Sequence, residues 1–396
     1  MRCEQVAIPV GKAWTSPFCR WQGALAAHSS LDLAAAVTAR ALAERDVDPQ
    51  SLTGFVLGMT VPQMGSFYGP STVATRVGAP HLSGPLVAQA CATSVLALRS
   101  AAAESELADG LSLVVLTDRT SNGPHIAYPG GEGIGGRLER EDVPLDAFAC
   151  DPLTAESMLE TAEAVVAEAG FGRAELDEVA ALRYAQYESA LADDRAFQRR
   201  YMVPVELDRR RGESLVLEAD SGVRPTRLSD LERLAPARPG GSLTGGTQTH
   251  PADGAAGMLV TRPERARELG RDGAIARLLA FGAARAEPAR MPKAPVPAAH
   301  AALRDAGLGP ADVDLVSTHN PFVVNDLWLA RELGFSHEQI NVRGCSLVYG
   351  HPQGPTGARG IAELIEALSD RGGGVGLFTG CAAGDTGAAV LLRVED

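Results

Sequence analysis

Residues 341–359 read Asn-Val-Arg-Gly-Cys-Ser-Leu-Val-Tyr-Gly-His-Pro-Gln-Gly-Pro-Thr-Gly-Ala-Arg and place His351 on a Gly-His-Pro turn in a glycine-rich loop. Two further segments carry cysteines. Cys91 lies in Gln-Ala-Cys-Ala-Thr-Ser, and Cys381 lies in Gly-Cys-Ala-Ala-Gly-Asp-Thr-Gly. A thiol nucleophile, a histidine base and a second thiol are the groups that Claisen chemistry on a thioester needs. The three segments therefore indicate this type of chemistry.

The composition is that of a globular chain with more than one core. The chain has 396 residues, of which 45% are hydrophobic and 21% charged, and its length predicts two or three domains at about 150 residues each. The net charge of -13 argues against nucleic acid or an anionic membrane as partner, because both attract basic surfaces. The six cysteines show no Cys-x-x-Cys spacing, and the sequence shows no secretory leader and no spanning apolar run. We therefore expect a protein of the reducing cytoplasm.

Lysine usage argues against several cofactor classes. Lys12 and Lys293 are the only two lysines, and neither lies in a segment that looks like a site. Schiff-base and pyridoxal-phosphate chemistry need a placed lysine and are therefore not favoured. The sequence also lacks a P-loop ending and a dinucleotide-binding glycine pattern after an early strand. We expect neither a bound cofactor nor a metal.

The chain contains an internal repeat. Residues 41–58 are predicted to form a helix, a turn and a buried strand, and residues 302–319 repeat that order. Cys91 and His351 follow the two copies at nearly the same distance, and each is followed by a helix rich in Ala and Leu and then by a strand. The repeat predicts two related halves, each presenting one reactive residue at a strand-to-helix turn.

A segment of different composition separates the halves. Residues 119–250 combine Gly/Pro-rich loops with charged helices, and we predict an inserted lid. The N-terminal half would then comprise residues 1–118 and 251–272, and the C-terminal half residues 273–396. Within the lid, the three arginines 209–211 are predicted to form a solvated turn.

Cys91 is expected at a helix N-terminus, because it follows a short apolar run and opens a helical stretch. There the unpaired amides and the helix dipole favour the thiolate and lower the pKa of the thiol. The same amides can hold an oxyanion. The alternative is an inert buried cysteine, the common state of an isolated free cysteine. The two other segments at matching spacing favour the reactive interpretation.

Together, these segments resemble the thiolase family. Residues 341–359 closely follow its pattern Asn-x-x-Gly-Gly-x-x-x-x-Gly-His-Pro, continued by Gly-x-x-Gly-Ala-Arg. The resemblance spans nearly the whole chain and implies a thiolase-like α/β fold, with duplicated βαβαβ halves in five layers (α/β/α/β/α) and an inserted lid. It implies that His351 deprotonates Cys91 and that Cys381 acts as acid and base at the α-carbon of an acyl-CoA. Coenzyme A thioesters would be the substrates.

The residue that stabilises the enolate is one of two neighbours. His319 and Asn320 precede Pro-Phe, where many thiolases have Asn-Glu-Ala-Phe and those like sterol carrier protein thiolase have His-Asp-Cys-Phe. Aligning the phenylalanine puts His319 at the functional position, with Asn320 the less favoured candidate. His319 would hold a water or donate directly to the enolate oxygen. The alternative is that His319 has no catalytic role and only caps the end of the strand.

The resemblance also implies an oxyanion hole made of backbone amides and contacts between side chains and the coenzyme. It implies that the backbone amides of Cys91 and Ala383 form an oxyanion hole. Arg224 matches an arginine that lies over the adenine, Met158 matches a lid methionine near the pantetheine, and Thr249 replaces the serine of an Asn-Ala-Ser segment. An exposed charge for Arg224 and core packing for Met158 are the alternatives.

Several positions depart from the family pattern. Ser94 stands where many members have glycine, Ala383 replaces the first glycine of Cys-x-Gly, and Asp385 adds a carboxylate. Residues 118–121 replace a familiar Gly-Gly-x-Glu-x-Met-Ser segment. These changes bear on the identity of the substrate more than on the mechanism.

The sequence thus predicts an acyl-CoA acyltransferase that forms an acyl-Cys91 thioester and then carries out thiolysis or condensation with acetyl-CoA. One alternative is a ketosynthase-like condensing enzyme, because Cys91, His319 and His351 also form a Cys-His-His set. Cys381 distinguishes the two, since a decarboxylating enzyme needs no base for the α-proton. The other alternative is an inactive coenzyme A-binding or scaffold subunit. The resemblance implies a homodimer or homotetramer, and a small partner protein remains open.

Overall fold

The computed structural model describes residues 1–3, 5–107, 109–131, 136–208 and 214–395. The solvated turn predicted for residues 209–211 lies outside the described residues. In chain order the strands are β1 (Ala7–Pro9), β2 (Ala13–Thr15), β3 (Cys19–Arg20), β4 (Gly54–Gly58), β5 (Leu86–Val87), β6 (Ser112–Arg119), β7 (His125–Tyr128), β8 (Glu139–Asp142), β9 (Val205–Asp208), β10 (Ser214–Leu217), β11 (Ala252–Val260), β12 (Ile275–Arg285), β13 (Leu315–His319), β14 (Gly374–Ala382) and β15 (Thr386–Glu395). The α-helices are α1 (Ser30–Glu44), α2 (Gly69–Arg76), α3 (Thr93–Leu107), α4 (Val143–Ala149), α5 (Met158–Ala169), α6 (Arg173–Ala190), α7 (Ala192–Arg195), α8 (Leu228–Leu231), α9 (Pro263–Leu269), α10 (Pro295–Ala306), α11 (Val323–Leu333), α12 (Ser346–Tyr349) and α13 (Pro355–Ser369).

One sheet is built mainly from the first part of the chain. Its strand order is β2-β11-β6-β4-β5, and β3 pairs with the start of β11. Strand β4 runs parallel to β5 and β6, whereas β11 runs antiparallel to β6. Residues 113–116 of β6, Leu-Val-Val-Leu, are fully buried. A strand covered on both faces explains this continuous apolar run.

A second sheet is built mainly from the last part of the chain. Its strand order is β1-β12-β15-β14-β13. Strand β13 runs parallel to β14, and β15 runs antiparallel to both β12 and β14. The edge strand β1 comes from the beginning of the chain, and Ala7 lies opposite Arg277 of β12. Residues predicted to belong to the N-terminal half therefore also pair with the sheet of the C-terminal half, and the domain boundaries stay predictions.

Helices fill the space between the sheets and cover their outer faces. The central helices α3 and α13 pack against each other, and α13 contacts strands of both sheets. Helices α1 and α2 cover the outer face of the first sheet, and α10 covers the outer face of the second. The order of layers is α/β/α/β/α, so the predicted fold class is confirmed.

The internal repeat is visible in the described structure. A short 3-10 helix, Pro49–Ser51, precedes β4, and the corresponding 3-10 helix, Pro310–Asp312, precedes β13. The central helices α3 and α13 each span 15 residues, and each is followed by a strand, β6 or β14, that runs parallel to the first strand of its copy. The two copies place the N-termini of the central helices near each other.

The segment predicted as a lid, between β6 and β11, contains β7–β10 and α4–α8. Helix α5 begins with a capping box, in which Ser157 N donates to Glu160 at 2.8 Å and Glu160 N donates to the Ser157 hydroxyl at 3.2 Å. Helix α6 is joined to α11 by a fully buried ion pair between Arg183 and Asp326 at 2.7 Å. Within the described ranges, none of the helices is both long enough and apolar enough to cross a membrane.

The central helices meet at a close contact. The Ser94 hydroxyl of α3 accepts a hydrogen bond from Ala358 N at 2.8 Å and donates to the Gly354 carbonyl, so it caps the start of α13. A Cβ at Gly357 would lie 2.9 Å from Ser94 Cβ and 3.0 Å from the ring carbon Cζ of Phe378. This approach needs a glycine at 357, because any larger residue would push α13 away from α3.

We expect Gly357→Ala to destabilise the protein by about 1–3 kcal/mol through overpacking. Alanine normally stabilises a helix interior over glycine by about 1 kcal/mol, so a net loss in the free energy of unfolding would be due to the close contact. Urea unfolding measures the change, with Gly245→Ala as control because a Cβ there meets open space. Equal stability of the Gly357→Ala variant and the parent protein would contradict the packing argument.

Candidate active site

Cys91 lies on a tight loop between β5 and α3. The preceding residue, Ala90, has a φ of +43°, a left-handed conformation that is costly for alanine. The Thr93 hydroxyl stabilises the loop by accepting from Gln89 N at 2.8 Å and donating to the Ala90 carbonyl at 2.7 Å. The loop thus positions Cys91 next to the N-terminus of α3, as the sequence predicted.

His351 lies at the start of the loop that leads into α13. Its Nε2 is 3.1 Å from Cys91 Sγ, and its Nδ1 is 2.6 Å from the Thr356 hydroxyl. When Nδ1–H donates to Thr356, Nε2 carries the lone pair that can accept the thiol proton. The two residues come from opposite halves of the chain and meet between the sheets.

His319, and not Asn320, faces the reactive pair. The His319 ring stacks on the His351 ring with centroids 4.0 Å apart, and its Nδ1 lies 3.2 Å from the Ser346 hydroxyl. Asn320 points away from the pair, because its Nδ2 donates to Asp326 at 2.8 Å. Among the described residues, His319 Nε2 is a buried atom without a hydrogen-bond partner. A buried polar atom of this kind is available to a substrate oxygen or a water.

Cys381 lies near the end of β14 and is 1% exposed. Asn325, in the first turn of α11, donates from Nδ2 to Cys381 Sγ at 3.3 Å. Burial raises the pKa of the Cys381 thiol, and the neighbouring Cys91 raises it further. Cys91 is thus near enough to Cys381 to affect its ionisation.

Burial has the largest effect on the pKa values of Cys91, His319 and His351. It raises the pKa of Cys91 to about 12, although hydrogen bonds from the backbone amides of Cys91 and Ala383 lower it. Desolvation lowers the pKa of His319 to about 3 and that of His351 well below its usual value. The low thiol pKa predicted from the helix N-terminus is therefore not found, because the cost of burying the thiolate outweighs the effect of the amides. The resting site holds a thiol and two neutral imidazoles.

A cavity of about 270 Å³ opens onto Cys91 and His351. Its wall includes Met158, Thr249 and Ala383, and most of the remaining lining is apolar. Such a cavity suits an acyl chain and a pantetheine arm better than a charged ligand.

Arg224 is not part of this cavity. Its side chain is exposed, and its carbonyl accepts a hydrogen bond from the Thr226 hydroxyl at 3.0 Å. The lid thus brings Met158 to the cavity but leaves Arg224 on the surface, and its predicted contact with adenine stays a prediction.

The departures from the family pattern have structural explanations. Ala383 is not among the residues with positive φ, so a side chain is tolerated where the pattern has glycine. The Asp385 carboxylate accepts from Ala289 N and Arg290 N, both at 2.9 Å, and thus holds a neighbouring loop. Asp118 is fully buried and accepts from Gly354 N at 2.8 Å. This bond joins the end of β6 to the His351 loop.

Three side chains of the site offer atoms that could bind a metal ion. Among the described residues, Cys91, His319 and His351 place these atoms within 4.8 Å of one another. The two imidazole rings are stacked with only 23° between their planes, whereas the ligands of a tetrahedral site approach the ion from different directions. The expectation that the site holds no metal stays a prediction.

Four site residues were missed by the sequence analysis: Gln353, Thr356, Asn325 and Ser346. Ser346, Gln353 and Thr356 are in the quoted segment 341–359, so attention to the other polar residues of that segment would have found them. No sequence signal leads to Asn325, because its contact depends on how α11 packs against the site.

Comparison with known proteins places the chain in a family. The family model described as "Thiolase, N-terminal domain" matches residues 8–264, and "Thiolase, C-terminal domain" matches residues 273–394. The chain belongs to the thiolase family. It is an acyltransferase of the thiolase type.

Individual thiolases are similar over nearly their full length. An acetyl-CoA acetyltransferase of Chromobacterium violaceum is 30% identical over 377 residues, which are 94% of this chain and 95% of the relative. The crystal structure of human mitochondrial 3-ketoacyl-CoA thiolase superposes with a TM-score of 0.89 at 25% identity and covers 98% of this chain and 99% of its own. The Bacillus anthracis acetyl-CoA acetyltransferase gives a TM-score of 0.89 at 27% identity, with 99% of each chain covered.

The low pKa of His319 predicts that the stability of the protein falls at acidic pH. The unfolded chain protonates this histidine below about pH 6.5, whereas the folded protein keeps it neutral down to about pH 3. Stability is therefore lost as the pH falls through this window, by about 1.4 kcal/mol per pH unit. We expect His319→Asn to make the decline in the free energy of unfolding shallower by about that amount. Urea unfolding at several acidic pH values tests this, and identical slopes for variant and parent would refute it.

Proposed function

We propose that this thiolase transfers acyl groups between coenzyme A thioesters by a ping-pong reaction through acyl-Cys91. The observation that carries the proposal is the 3.1 Å contact between Cys91 Sγ and His351 Nε2 at the base of the cavity. The backbone amides of Cys91 and Ala383 hydrogen-bond the same sulfur. A base and two amide donors around one thiol are the groups that acyl transfer requires.

In the first half-reaction, His351 Nε2 takes the Cys91 proton as the sulfur attacks the thioester carbonyl. The carbonyl oxygen becomes an oxyanion that accepts hydrogen bonds from the amides of Cys91 and Ala383. As the intermediate collapses, the bond between the carbonyl carbon and the coenzyme sulfur breaks. Coenzyme A leaves with the proton from His351, so acyl-Cys91 and a neutral imidazole remain.

In the second half-reaction, either free coenzyme A reverses these steps or an acetyl-CoA enolate attacks acyl-Cys91. For condensation, the Cys381 thiol gives its proton to His351, which is neutral again once coenzyme A has left, and the Cys381 thiolate removes the α-proton. The enolate carbon then bonds to the acyl carbon, the bond to Cys91 breaks, the Cys91 thiolate takes the proton from His351, and Cys381 keeps the former α-proton. The hydrogen bond from Asn325 to Cys381 supports this role, since an N–H donor favours the thiolate.

His319 is proposed to stabilise the enolate oxygen through Nε2–H, directly or through a water. This tautomer requires the Ser346 hydroxyl to donate to His319 Nδ1. The Ser346 hydroxyl donates to Asn320 Oδ1 at 3.1 Å in the structure, so it must turn towards His319 for this tautomer. Asn320 Oδ1 would then keep the hydrogen bond from Leu347 N at 3.3 Å. All these steps use side chains and backbone of this chain with coenzyme A thioesters as substrates, so we propose that the reaction needs no bound cofactor.

We further propose that the protein is a homodimer. Apolar side chains are exposed close together on one segment: Met64 is 99% exposed and Phe67 is 88% exposed. Surfaces of this kind mark contacts with other protein chains. Sedimentation equilibrium tests the proposal, and a monomer at micromolar concentration would refute it.

Acyl transfer is tested by mass spectrometry after incubation with acetyl-CoA and longer acyl-CoAs. We expect an acyl adduct on the Cys91 peptide, no adduct in Cys91→Ala, and an unchanged adduct in Cys150→Ser, because Cys150 is an exposed cysteine that does not line the cavity. A folded protein that binds coenzyme A but forms no adduct with any donor would refute the proposed function.

Cys381 has a separate test. We expect Cys381→Ala to retain acylation of Cys91 but to lose exchange of the acetyl-CoA α-protons with deuterated solvent, by about 100-fold or more for a lost acid/base group. Nuclear magnetic resonance of acetyl-CoA measures the exchange. Exchange at the parent rate would instead favour the ketosynthase-like alternative, which needs no base for this proton.

A further inference from the structure

Gln353 contacts the Cys91 sulfur, although the pattern around His351 gives it no role. Its Oε1 lies 3.2 Å from Cys91 Sγ, about as close as the proposed base His351. The Gln353 side chain also hydrogen-bonds His351 and raises the pKa of that imidazole. It is 6% exposed and lies in the wall of the substrate cavity. The carboxamide therefore touches both groups between which the thiol proton moves.

The backbone holds Gln353 at this position. Its φ is +62°, and its carbonyl accepts from Thr356 N at 3.2 Å in the turn that starts α13. The next residue, Gly354, donates from its amide to Asp118 at 2.8 Å and accepts from the Ser94 hydroxyl through its carbonyl. These bonds fix the backbone at and after Gln353, and the buried side chain lies with its carboxamide against Cys91.

A carboxamide can serve both states of a thiol. Its oxygen accepts from S–H, and its NH₂ group donates to S⁻, so half a turn about the last bond exchanges the two contacts. The two contacts differ in strength, because S–H is a weak donor whereas a hydrogen bond to an ion is about twice as strong as a neutral one. The net effect of the carboxamide is to favour the thiolate.

The other groups around the sulfur make this contribution important. Burial opposes the thiolate, and Asp118 opposes it electrostatically. His351 and, behind it, His319 are neutral imidazoles in the resting site. Gln353 can favour the thiolate without carrying a charge that would itself have to be desolvated.

We propose that Gln353 assists the deprotonation of Cys91: its carboxamide accepts the S–H bond of the resting thiol and turns to donate N–H to the sulfur as the proton moves to His351 Nε2. One S–H bond breaks and one N–H bond forms in this step, and Gln353 itself gains and loses no proton. The proposal rests on the proposed role of Cys91 as the acyl-accepting nucleophile.

The test is the rate of Cys91 alkylation by iodoacetamide at several pH values from about 7 to 9, well below the pKa, where the rate follows the fraction of thiolate. Mass spectrometry of the Cys91 peptide measures the rate. Gln353→Met keeps the length and the unbranched shape but removes both amide groups. We expect the pKa of Cys91 to rise by about one unit, which corresponds to about tenfold less thiolate. A more basic thiolate is intrinsically more nucleophilic, so alkylation at neutral pH should slow by about threefold.

Two further variants control the result. Gln248 is a second glutamine of the same cavity wall, and Gln248→Met should leave the pKa of Cys91 unchanged. Gln353→Glu keeps the size and polarity but adds a negative charge, so it should raise the pKa by more than Gln353→Met does. It also supplies the test if the methionine variant does not fold, as judged by circular dichroism.

An unchanged or lowered pKa of Cys91 in the Gln353 variants would overturn the proposal, as would an equal rise in Gln248→Met. Because alkylation requires no acyl-CoA, this result is independent of acyl transfer. A shifted pKa in a protein that forms no acyl adduct would refute the proposed function and leave the role of Gln353 standing. An acyl adduct on Cys91 without a shifted pKa in the Gln353 variants would support the proposed function and refute the role of Gln353.

Discussion

The crossing of α3 and α13 is the contact on which the site depends. Each helix starts beside a reactive residue, so the distance between the helices sets the distance between Cys91 and His351. The absence of a side chain at Gly357 permits the close approach, and the Ser94 hydroxyl bonds to both ends of the first turn of α13. Asp118 adds a bond from β6 to the same loop. The hydrogen-bond contact between Cys91 Sγ and His351 Nε2 thus results from packing between the two halves of the chain.

The same packing creates the chemical problem that the site must solve. Burial excludes water and raises the pKa of both reactive thiols, so neither Cys91 nor Cys381 rests as a free thiolate. The site therefore surrounds each sulfur with neutral donors and acceptors: backbone amides and Gln353 at Cys91, and Asn325 at Cys381. Neutral groups stabilise a transient charge at the moment of reaction without adding a buried ion to the resting protein.

The sequence predicted the parts of this arrangement that repeat or that lie in short segments. The repeat predicted two related halves, and the segment around His351 predicted its turn. The resemblance to the thiolase family implied the five layers and the role of His351 as the base. The choice of His319 over Asn320 followed from counting back from Phe322, and it agrees with where the two side chains point. The positions of these residues could be predicted because strand and helix starts are encoded locally, whereas their chemical roles stay predictions.

Other features were beyond sequence reasoning because they depend on long-range packing. The pKa of Cys91 was predicted in the wrong direction, since the helix start can be recognised from a few residues but the degree of burial cannot. The pairing of β1 with β12 links residues that are far apart in the chain. Because Cys91 and His351 are 260 residues apart, closing that loop costs entropy on the order of 5 kcal/mol. Because His351 is synthesised 260 residues after Cys91, a growing chain carries Cys91 without its base until most of the protein has been made.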